Sequence, residues 1–358
     1  MLVLGIESSC DETAASIVRD GHEVLSSVIS SQIKLHAGYG GVIPELAARE
    51  HLKNILTVVR TSLTEADISL DDIGGMAVTS YPGLIPALLV GNTFSKGLAA
   101  SRHYPLIGIN HFEAHMYGAF IDHPELLTPE HFPIIALVVS GGHTAIVCLE
   151  ANGQARILGR TLDDAAGEAL DKAAKILGLE YPGGPIIDRL AKNGNTKAYH
   201  FPRGLMGGSG RPIAPEHRFD FSFSGVKTAM LYAVKNRELT DSELSDVVAS
   251  YQAAIMQVLV KKTIRAAREV HAKLICLSGG VACNSYLRHI MAEAAEKIHC
   301  DFVLTPPKYC TDNAAMVSGL GWHFLRRGMD GGLTQPVSAR LPADLGIFPF
   351  APFAPEDF

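Results

Sequence analysis

The stretch 134–161, IIALVVSGGHTAIVCLEANGQARILGRT, repeats in outline the stretch 2–29, LVLGIESSCDETAASIVRDGHEVLSSVI. In the second copy, Ile134 to Val139 is an apolar run with strand character. Ser140-Gly141-Gly142-His143 is a small polar turn, Thr144 to Leu149 a second strand, Asn152-Gly153 a hairpin signal and Gln154 to Thr161 a third strand. In the first copy, Leu2 to Ile6, a polar turn from Glu7 to Glu12, Thr13 to Val18, Asp20-Gly21 and Val24 to Ile29 follow the same plan. Two copies of a three-strand meander are an internal structural repeat.

Outward from each copy the period changes from two to 3.6. Helical patterning covers Pro44 to about Ala66, Pro86 to Ser101 and His111 to Ile121 after the first copy. After the second it covers Asp164 to Leu177, Gly225 to Asn236, Asp241 to Ala272, Asn284 to Ile298 and Asp312 to Arg327. Short strands fall between them at Gly75 to Thr79, Leu106 to Ile109, Leu274 to Leu277 and Phe302 to Leu304. Strands alternating with helices predict α/β domains. The Pro- and charge-rich stretch from Asp122 to Phe132 marks a boundary. The expected organisation is a first domain over 1–130, completed by about 312–345, and a second over 131–311. The repeat argues for two similar domains facing a cleft.

Composition removes several classes. With 47% hydrophobic and 19% charged residues, disorder is not the dominant state. The longest apolar runs fall far short of the ~20 residues a bilayer needs, so no membrane role is expected. The six cysteines, Cys10, Cys148, Cys276, Cys283, Cys300 and Cys310, form no CxxC pair and read as free thiols of a reducing, cytoplasmic compartment. The N-terminus shows no secretory or import presequence. The net charge of −6 gives no general attraction for nucleic acid.

Three strands end in small polar residues: Gly5-Ile6-Glu7-Ser8-Ser9, Val139-Ser140-Gly141-Gly142-His143 and Leu277-Ser278-Gly279-Gly280. Such turns let a backbone approach a phosphate, although a Walker A loop is absent. His111 and His115 lie four apart on a helical stretch, a spacing that suits a divalent metal. Glu113 is two positions on from His111 and turned away by helix geometry, so the arrangement is not a zincin HExxH. Asp312 reads either as a third, oxygen ligand or as a helix cap. Asp164, Glu168, Asp171 and Lys175 share a helix face and read as a solvated, ion-paired surface. Asp11 and Glu12 are adjacent carboxylates in the first turn, suited to general-base or metal-linked work.

The chain resembles the tRNA N6-adenosine threonylcarbamoyltransferase family of bacterial type, formerly described as O-sialoglycoprotein endopeptidases. The matching blocks are GIESSCDETAASIV, GGVIPELAAREH, NHFEAH, VVSGGHTAIV, DDAAGEALDKAAKILGLEYPGGP, DFSFSGVKTA, SGGVACN and CTDNAAM, in order from Gly5 to Met316. The resemblance implies the actin/Hsp70/sugar-kinase-like fold, with two similar α/β domains around a nucleotide cleft. It implies transfer of a threonylcarbamoyl group from threonylcarbamoyl-adenylate to N6 of the adenosine beside the anticodon, in tRNAs reading codons that begin with A. An ATP-dependent phosphotransferase of the same fold is the alternative.

Carried over position by position, His111, His115 and Asp312 hold one divalent metal per subunit, iron by resemblance, with zinc or magnesium also open. Val138, Val139, Ser140, Gly141, Gly142, Asp171, Gly184, Asp188 and Asn284 hold the adenylate, which recasts Asp171 as a ribose ligand. Asp11 and Glu12 are the candidates for taking the amine proton. The implied partners are tRNA, a smaller paralogous protein of actin-like fold as heterodimer partner, and a P-loop ATPase. For tRNA the expected contacts are Arg203, Arg211 and Arg218, with His217, in the long Gly/Pro-rich loop. The helix bearing Lys261, Lys262, Arg265, Arg268 and Lys273 reads as an ordinary solvated face.

Overall fold

The computed structural model describes residues 1–39, 41–207, 213–340, 345 and 348. The chain divides into two compact units, Met1–Pro129 with Pro306–Phe358, and Glu130–Thr305. The first contains β1 (Leu2–Glu7), β2 (Glu12–Arg19), β3 (Glu23–Ser31), α1 (Ile33–Ala37), α2 (Pro44–Glu65), β4 (Ile73–Tyr81), α3 (Ile85–Arg102), β5 (Leu106–Asn110) and α4 (His111–Tyr117). The second contains β6 (Ile134–Val139), β7 (Thr144–Leu149), β8 (Ala155–Arg160), α5 (Ala166–Ile176), α6 (Gly183–Ala191), α7 (Ser224–Val234), α8 (Asp241–Val270), β9 (Leu274–Ser278), α9 (Ser285–Glu296) and β10 (Asp301–Leu304). The chain then returns to the first unit through α10 (Pro307–Cys310) and α11 (Ala314–Arg326).

The repeat extends beyond the meander. The first sheet has the order β3-β2-β1-β4-β5 and the second β8-β7-β6-β9-β10, so the two match strand for strand. In each the meander is antiparallel and the last two strands add in parallel. Parallel strands need crossovers, which is why each unit interposes helices there. The central strands are covered on both faces, and β6 is buried at all six positions, as its unbroken apolar run requires.

In the first unit, Leu4, Ile6, Ala15, Ile17 and Val78 pack against Ile55, Val58 and Val59 of α2 and Ala99 of α3. Their alternate neighbours face α11. A Cβ on Gly5 would stand 2.1 Å from Ser318 Oγ, and that hydroxyl donates to Ser16 O at 3.1 Å. Close packing of α11 on β1 explains why the C-terminal segment belongs to the first unit.

Element ends differ from expectation in instructive ways. The histidine helix stops at Tyr117, where Gly118 is its C-cap. The last helix starts at Ala314 rather than Asp312, because Asn313 Oδ1 accepts from Met316 N at 3.0 Å and is the cap. α1 and α6 were not expected; α6 opens on Gly183-Gly184-Pro185, residues that discourage a helical reading. Among the described residues no helix is long and apolar enough to cross a membrane.

Candidate functional site

In the first unit the parallel strands β1, β4 and β5 bring three polar residues together at or near their C-terminal ends: Glu7, Thr79 and Asn110. Glu7 is fully buried. Its Oε1 accepts from Ser9 N at 2.5 Å, and its Oε2 accepts from Thr79 Oγ1 at 2.5 Å. Asn110 caps α4 by accepting from Phe112 N at 3.0 Å, and its amide donates to Glu113 Oε1 at 3.1 Å. These bonds set the start of α4 and hence the direction of its histidines.

His111 Nδ1 lies 2.9 Å from Glu7 Oε2. A carboxylate only accepts, so Nδ1 carries the proton and donates, leaving the Nε2 lone pair for another partner. That Nε2 lies 3.1 Å from His115 Nε2 and 3.3 Å from Asp312 Oδ1, while His115 Nε2 lies 3.2 Å from the same Asp312 oxygen. Three donor atoms therefore form a near-equilateral triangle. Ligands around a cation with bonds of roughly 2.0–2.2 Å stand about 2.8–3.6 Å apart, so the triangle has the size of one face of a coordination polyhedron. Glu7 behind His111 is the carboxylate that commonly orients a metal-bound imidazole.

Charge points the same way. Burial would raise the carboxyl of Asp312, yet the imidazoles facing it hold it well below the usual range. Burial opposes ionisation of Glu7 too, and His111 more than offsets it. Burial would lower His111, but Glu7 and Asp312 keep it well above an ordinary histidine, whereas burial and the charge on His111 lower His115. With His111 neutral and its Nε2 lone pair presented to the triangle, the two buried carboxylates Glu7 and Asp312 carry two negative charges, which a dication offsets; in its absence a proton on His111 does part of the same work. The residues fit the metal. Asp312 is free for this role because Asn313 does the capping. Glu113 points elsewhere; burial pushes its carboxyl to about 8.

Asp11 and Glu12 lie in the same unit, Asp11 in the turn after β1 and Glu12 as the first residue of β2. Glu12 accepts from Ser31 Oγ at 3.0 Å and is hydrogen-bonded to Asp11. Burial, with Asp312 and Asp11 nearby, pushes its carboxyl to about 9, so it is protonated near neutrality. A second buried network holds this turn. His51 Nε2 lies 3.1 Å from the carbonyl of Cys10, and Gln32 N donates to Asp11 O at 2.9 Å. Since that carbonyl only accepts, His51 is the Nε2–H tautomer and its Nδ1 accepts from Thr13 Oγ1 at 2.8 Å.

In the second unit the parallel pair β6 and β9 ends in Ser140-Gly141-Gly142-His143 and Ser278-Gly279-Gly280. Cβ atoms at Gly141, Gly142 and Gly280 would meet nothing within 4 Å, so ligand atoms can approach the backbone there. Gly279 is different: its φ is +91°, and a Cβ would stand 2.3 Å from Val139 O. Gly279→Ala should therefore lower stability by at least about 1–3 kcal/mol through strain; a chemical-denaturation midpoint unchanged from wild type would show that the turn relaxes freely. Val138 and Val139 are fully buried strand residues, so only their backbone can serve a ligand.

Asp171 Oδ1 accepts from Gly183 N at 2.8 Å and Gly184 N at 3.3 Å, which holds the start of α6. Asp188 accepts from Ser285 N and Oγ. Asn284 caps α9 and donates to Gln252 Oε1 at 2.7 Å. The ion-paired reading of the α5 face holds for Asp164 and Glu168, both on Lys172 rather than Lys175.

Residues 23–319 match the tRNA N6-adenosine threonylcarbamoyltransferase (TsaD) family. The chain is 49% identical over 346 residues to the tRNA N6-adenosine threonylcarbamoyltransferase of Geobacter sulfurreducens, covering 96% of this chain and 98% of that one. The chain belongs to the tRNA N6-adenosine threonylcarbamoyltransferase family. The enzyme of that name from Syntrophotalea carbinolica is 48% identical over 351 residues, covering 98% and 99%. Component A of (R)-2-hydroxyglutaryl-CoA dehydratase from Acidaminococcus fermentans shares the fold, with a TM-score of 0.51, 16% identity and coverage of 89% and 96%. The fold is thus actin-like, two mixed five-stranded sheets of matching strand order with their helices. As a member of the threonylcarbamoyltransferase family the chain is a transferase acting on tRNA, and the relatives support this activity over the phosphotransferase alternative.

For a threonylcarbamoyltransferase, Thr79 and His51 go unnoticed in the sequence, and Glu7 and Ser9 are read there only as part of a small polar turn. Two carried a signal. Glu7 is a carboxylate closing an apolar strand, and His51 interrupts the buried stripe Ala47, Ile55, Val58 and Ser62 of α2.

Proposed function

We propose that the chain takes the threonylcarbamoyl group from threonylcarbamoyl-adenylate and joins it to N6 of the adenosine beside the anticodon, in tRNAs reading codons that begin with A. The N6 nitrogen bonds to the carbamoyl carbon, the bond from that carbon to the phosphate oxygen breaks, AMP leaves and N6 loses a proton. The observation that carries the reading is the His111, His115, Asp312 triangle with Glu7 behind it, in a chain of this family.

His111, His115 and Asp312 would hold the metal. Two imidazoles and one carboxylate favour iron or zinc over magnesium, which prefers oxygen ligands. When bound, the ion supplies Lewis-acid polarisation of an oxygen. The residues proposed for the adenylate are the backbone from Val138 to Gly142, with Gly184, Asp171, Asp188 and Asn284. Asp171 has Oδ2 left for a ribose hydroxyl, and Gly167 N at the start of α5 already donates to Ser140 O at 3.2 Å, which sets the turn on a helix N-terminus. Of the two candidates for taking the N6 proton, Asp11 is favoured, because burial and the neighbouring carboxylates favour the neutral form of Glu12 in the metal-free chain.

A smaller paralogue is the proposed heterodimer partner. The exposed apolar groove between α2 and α3, with Leu52, Leu56 and Leu89 on its walls, is the surface that supports such a contact. A P-loop ATPase partner is carried by the family resemblance alone. Free cysteines, Cys148 and Cys276 among them, support a reducing cytoplasm. The experiment is incubation with threonylcarbamoyl-adenylate and unmodified tRNA, followed by nucleoside analysis. Threonylcarbamoyl-adenosine in the hydrolysate is expected; phosphorylation of a small hydroxyl compound by ATP, with no modified nucleoside, would overturn the reading.

A further inference from the structure

We propose that a cationic stripe on α8, formed by Lys261, Arg265 and Arg268, with the apolar groove beside it, binds the sugar-phosphate backbone of the tRNA. This rests on the tRNA-modifying reading above and adds a surface to it. The three residues are spaced four and three apart, so they project within an arc of roughly 60° along about 10 Å of helix. All three are exposed, and among the described residues none makes an ion pair; Arg265 Nη1 donates to the carbonyl of Arg218 at 3.5 Å, which leaves its charge in place.

The expected loop cations are committed elsewhere. Arg218 is ion-paired to Glu269, and Arg203 is half-buried with its guanidinium on Gln257 Oε1 at 2.8 Å. Arg211 lies outside the described residues. Lys262, expected on the same surface as Lys261, is buried, and its Nζ donates to His217 O and Arg218 O at 3.3 Å each. That bond, with the Arg218–Glu269 pair, ties the loop to α8. The carboxylates near the stripe are likewise engaged: Glu269 by Arg218, and Glu293 of α9 by His289 and Lys297. Glu296 points away, since it lies two positions, about 200°, from groove-lining Ala294. The stripe is therefore an uncompensated positive patch on a chain with a net charge of −6.

The groove beside it has a volume of about 370 Å³ and is floored by Met206, Val260, Ile264 and Ala294. Cations along one wall suit a nucleic-acid strand whose phosphates track the charges, and the aliphatic floor offers van der Waals contact to a sugar or base without aromatic stacking. A protein partner would need acidic side chains matched to the three cations, whereas tRNA is the polyanion that the transferase reading already brings to this chain.

The test uses the full chain. Lys261→Glu/Arg265→Glu/Arg268→Glu is compared with wild type and with the charge-conserving Lys261→Arg/Arg265→Lys/Arg268→Lys, each checked for an unchanged thermal midpoint. tRNA affinity is measured across a salt series. The reversal should weaken binding at least tenfold and reduce the log–log salt slope by about 2, as three lost contacts to single-stranded phosphates imply. The KM for tRNA should rise while the KM for the donor stays put, and the charge-conserving variant should behave as wild type. If the reversal does not fold, Lys261→Ala/Arg268→Ala replaces it, with a slope change of about 1.4.

Unchanged affinity and slope in a folded variant would overturn the proposal while wild-type transfer to tRNA left the transferase reading intact. Competition by inorganic phosphate or AMP as strong as by RNA would reduce the stripe to a small-anion site. Loss of an acidic protein's binding with tRNA affinity retained would assign it to a protein.

Discussion

His115→Ala should lose the metal and, with it, tRNA threonylcarbamoylation, while the protein still unfolds cooperatively near the wild-type temperature. His115 sits on α4, all seven residues of which are buried, yet its Nε2 faces a histidine nitrogen and a carboxylate oxygen rather than hydrocarbon. Removing it takes away one of three donors. Changes to residues that only support a metal ligand already cost about 10–100-fold in affinity, so losing a ligand should cost at least the upper end of that range. Glu7→Gln is the graded companion: the amide is nearly isosteric but no longer a charged acceptor for His111 Nδ1–H, and metal affinity should fall about 10–100-fold. Metal content by elemental analysis, together with the transfer assay, reads both. Stoichiometric metal in folded His115→Ala would assign the histidines to packing.

The second large effect separates the two carboxylates of the first turn. Asp11→Asn should lower kcat by about 10²–10⁴, the usual contribution of a positioned general base, with donor affinity little changed. Glu12→Gln should retain most activity, because a glutamine replaces a carboxyl that is already neutral and hydrogen-bonded to Asp11. Stability supplies an independent reading of Glu12. Its carboxyl sits near 9 in the folded chain against an ordinary 4.5, so folding takes up a proton. The stability this contributes is fully present below about 4.5 and is lost as pH rises through 9. The melting temperature of wild type should therefore decline over that window, and Glu12→Gln should flatten the decline. Equal losses of kcat in both variants would mean that the pair acts as one unit.

The α2/α3 groove and the α8 stripe show why surface function was hard to read in the chain itself. Arg203 and Arg218 look as available in sequence as Lys261 and Arg265. Only the fold shows that the first two are bound to Gln257 and Glu269. Charge in a sequence is a count, whereas charge available to a polyanion depends on which side chains are already paired, as Arg218 is, or held in place by a buried partner, as Arg203 is.

Local pattern was enough for the two-sheet plan, because the repeated apolar run, small polar turn and hairpin signal of residues 2–29 and 134–161 are contiguous and each strand's burial is written in its period. The same holds for His111 and His115, four apart on one helix. From its own neighbours Asp312 reads equally as ligand or cap; the resemblance makes it a ligand, and the physical reason appears only where Asn313 caps α11. Glu7, 104 residues from His111 in the chain, became its hydrogen-bond partner only when β1, β4 and β5 aligned in parallel. A helix or strand is specified by neighbours a few residues away. A coordination triangle and the carboxylate behind it are specified by the sheet order that closes the distance, which no local stretch of the chain contains.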